Sequence, residues 1–191
     1  MDLAVLEPQP VPAATPKVKP RRQPKARALT PWRQAGHLVL LTLLAVASYL
    51  FFSRYVLQTV EVRGQSMYPT LRNADHYFLN RWAFHSHPPQ RGDIVVLRDP
   101  SDGVYVVKRV IAKAGESIFL KNGKVYINGA KLSEPYLPPG TPTFTETARK
   151  EELIVCGKDQ YFVLGDNRND SYDSRFYGPV QRQNILGAIL Y

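Results

Sequence analysis

Apolar and polar positions divide the chain into three regions. From His37 to Leu57 it reads HLVLLTLLAVASYLFFSRYVL, 21 residues whose one unambiguous charge is Arg54, near the end. At about 1.5 Å per residue this run reaches roughly 31 Å as a helix, matching a hydrocarbon core of about 30 Å. Beyond it the pattern changes to short runs of period two: TVEVR, DHYFLNRWAF, GDIVVLRD, VYVVKRVIAKAG, SIFL, KVYING, QYFVLG and NILGAIL. The turn dipeptides Gly92-Asp93, Asp102-Gly103, Asn122-Gly123 and Asn128-Gly129 punctuate them. Residues 58–191 are therefore expected to form a mainly β domain of antiparallel sheet. Phe119 to Tyr126 is the clearest hairpin, with Asn122-Gly123 supplying the positive φ angles. Residues 133–150, SEPYLPPGTPTFTETARK, hold four prolines and read as an excursion from the sheet. Residues 116–160 are expected to be a small accessory subdomain or insertion.

Charge adds an orientation. Residues 1–36 hold seven Lys or Arg against Asp2 and Glu7, so five of the nine net positive charges lie there. The same tail runs from Pro8 to Pro31 rich in proline, which joins neither helices nor sheets, and it is expected to be disordered. Basic residues before an apolar span place the N-terminus in the cytoplasm and the β domain outside, with Trp32, Tyr49 and Tyr55 suited to the interfaces. That reading makes the tail a flank of the bilayer and leaves no nucleic acid expected. A cleavable signal peptide ending at Ala45-Val46-Ala47 is the competing reading. It would leave an apolar core of only Leu38 to Leu44, with apolar chain continuing past the cut, so an anchor is favoured.

Candidate chemistry starts at Ser66 in GQSMYPTL, a short proline-stiffened loop. A serine hydroxyl attacks a carbonyl only if a base takes its proton. His85 and His87, in HSHPP, offer a Ser/His/Asp arrangement but read as an exposed loop, and no nearby carboxylate or Cys completes a metal site with them. Cys156 is the single cysteine, which excludes an intramolecular disulfide, and it reads as a buried apolar residue. Lys108 in VYVVKRVI stands between Val106 and Val110 on one strand face, while Arg109 points to the other. If that face is buried, desolvation lowers the lysine pKa and yields a neutral base. From periodicity alone, a lysine snorkelling from a sheet edge is the favoured reading. Phe78, Trp82 and Phe84 offer either contact with lipid or core packing.

GQSMYPTL, RGDIVVLRDP, VYVVKRVIAKAGE and GDNRNDSYDSRFYG, in that order after one span, resemble the type I signal peptidases, membrane-bound serine proteases that process exported preproteins. The resemblance implies Ser66 as nucleophile and Lys108 as general base. It implies that Ser171 orients the lysine, that Asp173 and Arg175 form a bracing charge pair, and that Asp166 pairs with Arg109. Some family members carry a serine two residues before the nucleophile. Gly64 stands there in this chain, so oxyanion stabilisation is expected from the Ser66 backbone N–H and a Gly64 backbone group, and Met67 is expected to wall a pocket for small side chains.

The implied substrates are preproteins bearing signal peptides, cut after an Ala-x-Ala type site by a monomer that needs no cofactor and no metal. The implied location is the inner (plasma) membrane, with a thylakoid membrane as an alternative. Rival readings are a related Ser/Lys processing protease of organellar or conjugation type, and a membrane-anchored β module that binds partners without catalysis.

Overall fold

The computed structural model describes residues 31–145 and 151–191. The tail expected to be disordered thus lies outside the described residues, except for Pro31 to Gly36, which are helical. The chain divides into a unit ending at Thr42 and a second running from Leu43 to Tyr191.

Helix α1 (Pro31–Phe51) starts and stops earlier than the expected span of 37–57. Its start follows from Pro31, which fits a first helical turn where no N–H is needed. Trp32, Arg33 and Gln34 lower the hydropathy but not the helix propensity, so a hydropathy boundary falls too late. At the other end a single π turn, Phe52–Val56, hands the chain to strand β1 (Leu57–Glu61). Leu57 is removed from the helix by its partner, because β1 pairs with β2 (His76–Asn80) from Leu57 opposite Asn80 to Glu61 opposite His76. The stretch Trp32–Phe51 has a mean hydropathy of 1.6 and is long and apolar enough to cross a membrane.

The remaining strands are β3 (Ile94–Arg98), β4 (Tyr105–Ala112), β5 (Ser117–Lys121), β6 (Lys124–Ile127), β7 (Ala130–Lys131), β8 (Glu152–Val155), β9 (Gln160–Leu164), β10 (Val180–Gln181) and β11 (Ile185–Leu190). A short helix, α2 (Ser174–Tyr177), precedes β10. Seven strands form one antiparallel sheet in the order β1-β2-β11-β3-β4-β9-β10, and four form a second in the order β7-β6-β5-β8. The second sheet falls within the 116–160 stretch expected to be accessory.

Alternation does what the period predicts. In β3 and β4, Val95 and Leu97 pack with Val110 on one face, while Ile94 and Val96 join Met67, Leu71 and Leu79 on the other. A third cluster takes Ile111 and Ala112 of β4 and Phe162 and Leu164 of β9, and packs them against Ile118, Leu120, Val125 and Ile127 of the second sheet. Cys156 belongs to this cluster, and burial pushes its thiol up to about 11. The Asn122-Gly123 turn has φ of 51° and 69°, closing β5 onto β6. Arg81 to Phe84, expected to extend a strand, instead turn, because the Asn80 carboxamide oxygen accepts the Trp82 N–H at 2.9 Å. Phe84 is buried by that turn, whereas Phe78 and Trp82 stay exposed.

Phe162 is fully buried where the two sheets meet. Phe162→Ala is expected to cost about 3–5 kcal/mol, read as a lower urea midpoint of the detergent-solubilised chain.

Candidate active site

The loop between β1 and β2 carries Ser66. Its stem is closed by the Val62 N–H to the Asp75 carbonyl at 3.0 Å and the Ala74 N–H to the Val62 carbonyl at 2.8 Å. Gly64 holds φ of 97°, a conformation that a residue with a Cβ rarely adopts. The Gly64 N–H donates to the Asn73 side chain at 2.8 Å. That N–H is therefore engaged within the loop. Met67, expected as a pocket wall, is 1% exposed and packs inward with Leu71 and Leu79. It anchors the loop and leaves Ser66 half-buried above the core. Among the described residues the Ser66 N–H meets no acceptor.

Lys108 lies in β4 opposite Val95 and is 3% exposed. Burial lowers its pKa below the ordinary lysine value, and the fields of Asp173 and Asp99 oppose that shift without cancelling it. Among the described residues Lys108 forms no ion pair.

The β4–β9 register brings Lys108 toward the serine loop. Arg109 lies opposite Leu164, so the next position, opposite Lys108, is Gly165. Directly opposed residues of an antiparallel pair turn the same way. A Cβ on Gly165 would sit 2.5 Å from the Ser66 carbonyl oxygen and would collide with the Ser171 hydroxyl. The bare face of Gly165 is thus where the Ser66 loop and Ser171 meet, on the side to which Lys108 projects. Ser171 Oγ is buried with no hydrogen-bond partner among the described residues. Buried hydroxyls rarely stay unpaired, so this one is free to engage the lysine amine.

Two charge pairs hold this geometry. Asp173 accepts Arg175 Nε at 2.8 Å and Nη2 at 2.9 Å, and it also accepts the Gly165 N–H at 3.0 Å. On the opposite face Asp166 accepts Arg109 Nε at 2.8 Å and Nη2 at 2.6 Å. The Thr70 hydroxyl donates to Asp166 at 2.5 Å, which couples the serine loop to that pair.

Several participants carry no strong sequence signal. Gly165 and Asn167 matter through backbone geometry, with the Asn167 N–H on the Ser66 carbonyl at 2.9 Å. Arg168 donates to the Gly165 carbonyl at 3.0 Å and to Glu134 at 2.5 Å, and it also reaches Thr143. The proline-rich stretch is therefore less of an excursion than its composition implies, since Glu134, Tyr136 and Thr143 pack onto the site. Asp99, 5% exposed, was visible only as one charge at a strand end. His85 and His87 are exposed, the first stacked on Trp82 at 5.0 Å, and neither joins the cluster. Among the described residues no group of three or more His, Cys, Asp or Glu could hold a metal ion.

Comparison with known proteins narrows what this arrangement can be. The family described as signal peptidase, peptidase S26, matches residues 35–191. Signal peptidase I of Bacillus amyloliquefaciens is 34% identical over 173 residues, covering 86% of each chain. Signal peptidase I of Leptolyngbya laminosa is 35% identical over 188 residues, covering 93% of this chain and 86% of its own. Signal peptidase I T of Bacillus subtilis is 34% identical over 173 residues, covering 86% of this chain and 84% of its own. The chain belongs to the signal peptidase family, peptidase S26, and is a hydrolase of the signal peptidase I kind.

Gly165→Ala forces a methyl group between Ser66 and Ser171. Turnover is expected to fall by roughly 100-fold or more, the scale of a misplacement near 1 Å, with the kcat loss exceeding any change in KM in a peptide-cleavage assay.

Proposed function

We propose that the chain is a membrane-anchored serine endopeptidase that removes signal peptides from exported preproteins, cutting after small residues of the Ala-x-Ala type. The observation that carries this reading is Lys108, buried without an ion-pair partner and projecting to the face where Ser66 and Ser171 meet.

Neutral Lys108 takes the Ser66 hydroxyl proton as the serine oxygen attacks the scissile carbonyl carbon. The carbonyl π electrons move onto oxygen, and the Ser66 N–H stabilises the resulting oxyanion. As the tetrahedral intermediate collapses, the C–N bond breaks and the lysine ammonium gives its proton to the leaving amine. Water, deprotonated by the same lysine, then attacks the acyl ester; its collapse frees the signal peptide carboxyl group, and the proton returns to Ser66. Ser171 orients the amine, Asp173 and Arg175 fix the Gly165 turn, and Arg109 with Asp166 ties the serine loop to β4. Every group named comes from one chain, so a monomer suffices. α1 serves as the anchor, with the basic tail cytoplasmic and the β domain outside the plasma membrane.

Detergent-solubilised parent is expected to cleave a preprotein after its Ala-x-Ala site, while Ser66→Ala and Lys108→Met lose about 10⁴-fold or more in kcat/KM and stay folded by circular dichroism. Variants that cut as well as the parent would remove the dyad, and a parent that cuts no precursor would leave an anchored binding module.

A pH series tests the base separately. Only the neutral amine accepts a proton, so kcat/KM is expected to rise with pH through the lowered Lys108 pKa. Stability follows the same sign. Between that lowered value and the ordinary lysine value of 10.5 the unfolded chain binds more protons, so folding strengthens as pH rises across this window. Lys108→Met should flatten that rise in urea midpoints measured against pH.

A further inference from the structure

Three arginines crowd one cleft that uses none of the residues of the catalytic cluster. Arg81 lies in the turn after β2, Arg98 ends β3, and Arg182 begins the turn before β11. Together with His85 and Tyr105 they line a cleft of about 550 Å³. Among the described residues no carboxylate lines it, and none of the three guanidinium groups is in an ion pair. Arg98 donates to the Gly103 carbonyl at 3.1 Å, and Arg182 to the Ile185 and Phe84 carbonyls at 2.9 and 3.2 Å. The Arg81 side chain makes no hydrogen bond to any described residue. Three like charges around one hollow repel one another, and an anion seated among them would relieve that repulsion. Planar guanidinium groups suit phosphate oxygens, which they can grip in pairs.

The position of the cleft selects the kind of phosphate. The Arg81 N–H donates to the Val56 carbonyl at 3.0 Å, in the π turn that ends the apolar helix. Arg81 also lines a neighbouring cleft with Leu50 and Ser53 of that helix segment. Trp82 stands 6.4 Å from the Phe51 ring, stacks 5.0 Å from His85, and is 49% exposed. An amphipathic indole beside cations at the end of an apolar helix is the chemistry of a headgroup layer.

We propose that this cleft binds the phosphate of an anionic phospholipid headgroup at the outer membrane face, and so fixes the β domain at that surface. This deepens the membrane-anchored reading and rests on it. A lipid is favoured over an acidic stretch of substrate because Arg81 lines both this cleft and the one beside the end of the apolar helix, and the cleft shares no residue with the catalytic cluster.

The test uses the full chain in detergent, carrying Trp32→Phe so that fluorescence reports Trp82. It is titrated with dihexanoyl phosphatidylglycerol below its micelle concentration, with dihexanoyl phosphatidylcholine, with inorganic phosphate, and with an acidic peptide. The expected result is a saturable change with phosphatidylglycerol, at least tenfold weaker with the choline lipid and with phosphate. Arg81→Gln with Arg98→Gln should weaken it tenfold or more. Arg81→Gln alone, which removes no hydrogen bond or ion pair among the described residues, should weaken it in the same direction. Equal responses in parent and variants overturn the proposal, as does inorganic phosphate binding as tightly as the lipid, or preference for the acidic peptide. Alkaline washing of membranes reads the anchor separately. If the anchor fails, the chain is washed off whatever the titration gives. If only the cleft fails, the chain stays bound and the two lipids respond alike.

Discussion

Arg109 and Asp166 face each other with 4% and 0% of their side chains exposed, and the geometry around Ser66 rests on that pair. Taking two ions out of water costs several kcal/mol each, and only complete geometry offsets it. Here it is complete: two hydrogen bonds join the pair, the Gly92 carbonyl takes a third guanidinium proton at 2.8 Å, and the Tyr136 ring covers the guanidinium at 4.0 Å. Thr70 adds its hydroxyl to the carboxylate. Removing either ion would strand the other, a loss of about 3–5 kcal/mol. One ion pair thus joins β4, the serine loop and the turn after β9 into a single rigid unit.

The residue beside Arg109 meets the opposite fate. Strand alternation sends Lys108 to the other face, equally buried but, among the described residues, without a partner at ion-pair distance. A guanidinium in that position would stay charged, whereas an amine can shed its proton. Asp173 is the carboxylate whose field on the lysine is strongest, yet its oxygens are committed to Arg175 and to the Gly165 N–H. Arg175 also pushes the lysine pKa down, partly offsetting Asp173. The bracing pair thereby holds the Gly165 turn without turning Lys108 into a salt-bridged cation.

Much of this was legible in the chain because strands announce themselves locally. Period two located the long strands and put Lys108 and Arg109 on opposite faces, and Asn122-Gly123 marked its hairpin. The two-residue strands β7 and β10 were too short to show a period, and β8 lay hidden behind the proline-rich stretch. The ends of α1 were misplaced because hydropathy measures burial in lipid, while Pro31 starts the helix by its fixed φ and β2 captures Leu57 by pairing. At the site, side chains with chemistry were legible and backbone groups were not. Ser66 and Lys108 were singled out by the resemblance of four sequence blocks, not by residue type alone. The bare face of Gly165 and the committed N–H of Gly64 are facts of conformation. Arg168 was visible within its motif, but its partners Glu134 and Thr143 come from a segment whose prolines conceal that it folds back.

On the proposed reading, strand β1 connects the two regions that a membrane-anchored peptidase must keep in step. Its first residue, Leu57, follows the π turn that ends α1, and its last, Glu61, leads into the serine loop. Five residues at about 3.4 Å each span roughly 17 Å, and pairing along the whole of β2 prevents that length from changing. The opposite end of β2 runs into Arg81 and Trp82, so the strand that sets the reach of Ser66 is clamped where the cationic cleft begins. On the proposed reading, the apolar segment of a signal peptide crosses the bilayer and delivers its cleavage region at a height that the bilayer dictates. A nucleophile on a flexible tether would sample many heights and meet the bond rarely. A nucleophile on a loop stemmed by two paired strands, held at the surface by the proposed arginine cleft, meets it at one height.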